Sequence, residues 1–101
     1  MPHAAEPLHQ AVVAAVAQGD LGAHQRVARL EEATGEAKEA ARLARLRFDV
    51  GVDSFLAVLD ADRTRIELDD LLAQARTDRA TALAALFKAL GGDFAMADRT
   101  R

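Results

Sequence analysis

The chain has 101 residues, a net charge of −3 and 50% apolar residues, led by 24 Ala and 13 Leu, with 4% aromatics, seven Val, one Ile and no Cys. An all-β fold needs β-branched and aromatic residues on half-buried pleated faces, so this composition excludes one, and the missing Cys excludes disulfides, thiolate metal sites and Cys nucleophiles. The acidic balance and the lack of an aromatic stacking surface argue against nucleic-acid binding.

In chain order, Pro2 and Pro7 predict a loose start. Leu8–Gln18 reads as a short helix, with Pro7 tolerated in its first turn. Gly19-Asp20-Leu21-Gly22 reads as a break or weak spot, since each interior Gly costs about 1 kcal/mol against Ala. Residues 1–23 are therefore the poorly defined N-terminal segment. The apolar runs Ala11–Ala17 and Ala82–Phe87 are far shorter than the ~20 residues that span a bilayer as a helix. No membrane insertion is expected of this segment. The first run follows Glu6 and no Lys or Arg, so it does not read as a signal peptide.

From His24 the pattern is helical. Val27, Leu30, Thr34, Ala37, Ala41, Ala44 and Phe48 alternate steps of three and four, which is a heptad seam with small residues in its middle. Glu39 and Arg42 form an i,i+3 pair on the exposed side. The turn falls at 48–54, where Gly51 can take φ > 0 to close the first helix. Asp53 or Ser54 can cap the second. So short a connection makes the two helices antiparallel neighbours. The second helix runs from about Ser54 to Leu90 and carries two seams. One is Leu68, Leu72, Ala75, Arg79, Ala82, Leu86 and Ala89; the other is Ile66, Ala73, Ala80, Leu83, Phe87 and Leu90. Two seams call for two helical neighbours, and a lone hairpin supplies one. Gly91-Gly92 is expected to stop the helix, leaving 93–101 as a polar tail. The fold class is all-α: a long, coiled-coil-like antiparallel hairpin over 24–92.

Chemistry-bearing residues are sparse. Asp60, Asp62, Asp69 and Asp70 raise a carboxylate cluster, but helical spacing pairs Asp60 with Arg63 and Asp62 with Arg65 on a solvated face. His3, His9 and His24 share no metal-ligand spacing. Ser54 has no partner spaced to activate it and reads as a cap. Gly91-Gly92 ends a helix and so is no phosphate cradle. No catalytic role, cofactor or metal is expected. Phe48 and Phe55 flank the turn as a hydrophobic clasp, which can double as a docking surface.

Four blocks then stand out in order: Arg47-Phe48-Asp49-Val50-Gly51, Val58-Leu59-Asp60-Ala61, Leu72-Ala73-Gln74-Ala75-Arg76 and Phe87-Lys88-Ala89-Leu90-Gly91-Gly92. With these the chain resembles, over about 24–92, the C-terminal part of the TolC-like outer-membrane efflux proteins. It is nearest the NodT-type subunits of resistance-nodulation-division pumps. The resemblance implies a homotrimer with an outer-membrane β-barrel and a periplasmic α-helical barrel, of which this hairpin is a tip piece. It implies that Arg47, Phe48, Val50, Gly51 and Val52 dock the periplasmic adaptor (membrane fusion) protein. Asp60 is implied to line the pore near the constriction. Asp53 departs from members that carry a basic residue there to lock the closed tip. The chain shows no signal peptide, barrel strands, first repeat or lipidation Cys, so the expectation is a C-terminal fragment of an outer-membrane channel subunit. The alternative is a stand-alone soluble helical-hairpin interaction module.

Overall fold

A computed structural model describes residues 6–99, and they form two α-helices: α1 over Glu6–Asp49 and α2 over Phe55–Arg99. Among the described residues there is no strand. Pro2 and His3 lie outside them, as do Thr100 and Arg101 of the expected tail.

Both helices are longer than the sequence pattern suggests. α1 starts at Glu6 with Pro7 in its first turn, where a missing N–H leaves no intrahelical bond unmade. It then passes through Gly19 and Gly22 without a break. α2 passes through Gly91-Gly92 and runs on to Arg99 instead of stopping. The reason is cooperativity. Extending an existing helix adds one hydrogen bond per residue, and the Ala-rich turns on either side offset a Gly penalty of about 1 kcal/mol. Among the described residues Gly51 alone has a positive φ, so Gly91 does not adopt the left-handed cap that a stop there requires.

The chain divides into two compact units. One is Arg26–Arg76, which contains the turn; the other joins the segment up to Gln25 with the segment from Thr77 onward. In the first unit α1 and α2 run antiparallel on either side of the turn. Val27, Thr34, Ala37 and Ala41 are buried on α1, and Val58, Leu72 and Ala75 on α2. Val27, Leu72 and Ala75 make one cluster, with Leu30 packed against it. On α1 the covered positions 27, 30, 34, 37, 41 and 44 reproduce the expected seam. Phe48, expected to continue it, is instead exposed. The helix ends one residue later, and its ring turns to the end of the hairpin.

In the second unit the half-buried positions on α2 are Arg79, Ala82, Leu86 and Ala89, which continue the first of the two expected seams. Arg79 sits in that seam because its aliphatic stem can lie along apolar surface while the guanidinium stays in water. Val13, Val16 and Ala23 are the half-buried positions on α1. The second seam stays open: Leu83, Phe87 and Leu90 are exposed here, as is Ile66 in the first unit.

Candidate functional site

The turn is closed by backbone hydrogen bonds that the local sequence dictates. Gly51 adopts φ +79°, a conformation that L side chains rarely take. This brings Val52 N–H onto the Arg47 carbonyl at 2.8 Å and Gly51 N–H onto the Phe48 carbonyl at 3.0 Å. That pair of bonds is a Schellman motif, with Gly51 at its left-handed position. Val50 N–H adds a bond to the Leu46 carbonyl at 3.1 Å, and Asp53 N–H reaches the Arg47 carbonyl at 3.3 Å. The carbonyls of Leu46, Arg47 and Phe48 are thereby satisfied within the chain. On the far side, Ala57 N–H donates to the Ser54 carbonyl at 3.2 Å, and Ser54 N–H donates to Asp53 Oδ1 at 2.9 Å. Neither is the expected side-chain cap: the Asp53 carboxylate takes the N–H of Ser54 just before α2, and Ser54 contributes its backbone carbonyl.

This tight backbone presents side chains outward. Phe48 and Phe55 meet across the turn with ring centroids 5.3 Å apart and planes tilted by 58°. Offset and tilted arrangements match the charge distribution of aromatic rings. Around the rings, Val50 is 65% exposed, Val52 71% and Leu56 74%. Arg47, Phe48, Val50, Gly51 and Val52 are thus brought together at one end of the hairpin. Leu56 and Leu59 extend the same apolar surface onto α2, a part that sequence reading did not single out. Their signal is the unbroken apolar run from Phe55 to Leu59, which is too dense for a helix with one buried face.

Asp60 lies in the second turn of α2, one helical turn beyond Leu56, and is exposed. Thr64 Oγ1 donates to its backbone carbonyl at 3.3 Å. Among the described residues no ion pair joins Asp60 to Arg63. Asp62 does pair with Arg65, at 3.7 Å, and also across the hairpin with Arg45, at 3.6 Å. Arg65 in turn reaches Asp69 at 3.5 Å. A second cross-helix pair joins Arg76 to Glu31 at 3.5 Å. Glu31 and Arg45 are fourteen residues apart on α1, as are Arg76 and Asp62 on α2, so both pairs report one antiparallel register. Glu39 takes two bonds from Arg42, at 2.6 and 3.0 Å, and this fork holds its carboxyl below the usual Glu range. Among the described residues no group of three or more His, Asp or Glu is placed to hold a metal ion. No described helix is long and apolar enough to cross a membrane.

The order of the four sequence blocks and the helix–turn–helix they occupy agree with a family comparison. The model of the outer membrane efflux protein family matches residues 5–92. The chain belongs to that family. Among its relatives is the outer membrane protein OprJ of Pseudomonas aeruginosa, 38% identical over 63 residues, which are 62% of this chain and 13% of OprJ. The solvent efflux pump outer membrane protein SrpC and the toluene efflux pump outer membrane protein TtgI, both of Pseudomonas putida, are each 41% identical over 54 residues. Those 54 residues are 54% of this chain and 12% of each relative. The efflux-protein chain therefore spans about an eighth of the length of the curated relatives it matches. No solved structure matches it.

Proposed function

We propose that this efflux-family chain supplies the periplasmic tip hairpin of an outer-membrane channel subunit in a tripartite efflux system. Its turn docks the periplasmic adaptor protein. Arg47, Phe48, Val50, Gly51 and Val52 form the docking surface, and Asp60 lines the pore of a homotrimeric channel. The role is one of assembly and transport, without catalysis.

The observation that carries the reading is the turn itself. A turn closed by its own backbone hydrogen bonds holds Val50 and Val52 largely exposed beside a tilted Phe pair. Exposed apolar groups on a rigid turn lose little conformational entropy on binding, which favours a protein partner there. The test is a binding titration between a full-length channel carrying this hairpin and its adaptor. Val50→Asp with Val52→Asp is expected to weaken binding by at least about tenfold, since burying an unpaired charge in an apolar contact costs well over 1.4 kcal/mol. Unchanged binding by a normally exported double variant would remove the docking assignment.

A second reading, a stand-alone interaction module that self-assembles, draws on the open second seam of Ile66, Leu83, Phe87 and Leu90. Neighbouring reading frames separate the two. Adjacent adaptor and inner-membrane pump genes favour the channel; their absence favours the module.

A further inference from the structure

Thr34 is the buried polar residue of the Arg26–Arg76 unit: it is 3% exposed, and its Oγ1 has no hydrogen-bond partner. A Thr hydroxyl within a helix ordinarily bonds the carbonyl three or four residues back, but here neither Glu31 nor Leu30 receives it. A buried hydroxyl with no partner within the chain favours any conformation that gives it one.

The packing around Thr34 is uneven. Toward the N-terminal side of α1 lies the cluster of Val27, Leu30, Leu72 and Ala75. At the turn end Val58 is buried, and Phe48 stacks on Phe55. Between them the covered positions on α1 after Thr34 are Ala37, Ala41 and Ala44, and the exposed neighbour Gly35 is a weak helix former. The larger buried side chains of α1 and the aromatic pair thus sit toward the ends of the unit, with only Ala covering α1 between them.

We propose that Thr34 is a built-in opening point, at which α1 unwinds transiently over about Thr34–Ala41 and water reaches the hydroxyl. The turn and the part of α1 around Val27 keep their hydrogen bonds while this happens. The cross-helix pairs Glu31–Arg76 and Arg45–Asp62 bracket the opening segment and restore the register when it closes. This does not depend on the docking reading; it holds for the hairpin whatever its partner.

The test is residue-resolved amide hydrogen exchange by NMR on the full chain, at a concentration where helicity has reached its plateau. Wild type is compared with Thr34→Val, which keeps the shape and removes the hydroxyl, and with Thr34→Ser, which keeps the hydroxyl. In the wild type, amides over 34–41 are expected to exchange at least about tenfold faster than those over 27–30 and 72–75. Thr34→Val is expected to slow the 34–41 amides by about tenfold, leaving 46–53 unchanged, while Thr34→Ser stays fast. Even protection along 27–44 in the wild type, or a Thr34→Val variant that exchanges as fast as wild type, overturns the proposal.

Discussion

At the scale of single residues, two positions decide most. Gly51 is held at φ +79°, so any β-carbon there is strained although space is open around it. Gly51→Ala is expected to destabilise the hairpin by about 1–2 kcal/mol, read as a lower thermal midpoint. Thr34→Val acts in the opposite direction, because it removes a buried unpaired hydroxyl while preserving volume. A gain of about 1 kcal/mol is expected in the same melt. Glu39 gives the clearest pH effect. Its pKa is lowered in the folded chain by the hydrogen bonds from Arg42. Its contribution is therefore complete above the ordinary Glu pKa and is lost as pH falls through the lowered one. Arg42→Ala is expected to remove that acid-side dependence, seen as a flatter helicity curve on acid titration. The turn was legible in the sequence because Gly at a helix end has a specific backbone use. Thr34 was legible only as a seam position, since spacing cannot reveal whether a hydroxyl finds an acceptor.

At the scale of helices, the heptad steps were enough to locate the covered face of α1 from Val27 to Ala44 and of α2 from Leu68 to Ala89. Periodicity reads the face well because burial follows it directly. It reads the ends poorly. The glycines at 19, 22, 91 and 92 resemble stop signals, yet a long Ala-rich helix absorbs each of them. The cross-helix pair Arg45–Asp62 was missed for a related reason, as local i,i+3 pairing with Arg65 hid the partner that the antiparallel register brings opposite. A double-mutant cycle on Arg45→Ala and Asp62→Ala is expected to give a coupling below about 1 kcal/mol that shrinks with added salt, as exposed ion pairs do. The open seam has a larger consequence. Phe87→Gln with Leu83→Gln is expected to reduce self-association of the isolated chain in sedimentation velocity, since both side chains are exposed here and apolar.

At the scale of the whole molecule, the buried apolar set among the described residues is six, three of them Ala, all within Arg26–Arg76. So small a core leaves the isolated chain marginal. Its helicity by circular dichroism is expected to rise with concentration as the open seams find partners. The same Ala content that excludes a β-fold also allows close helix approach. Family membership follows from the match over residues 5–92, and the proposed role rests on the turn. The most direct test transplants residues 24–92 into an outer-membrane efflux channel stripped of its own tip hairpin, then measures drug efflux with the adaptor and pump present. The account predicts restored efflux that Val50→Asp with Val52→Asp abolishes. A chimera that folds, trimerises and is exported normally but leaves efflux at the level of the tipless channel would contradict it.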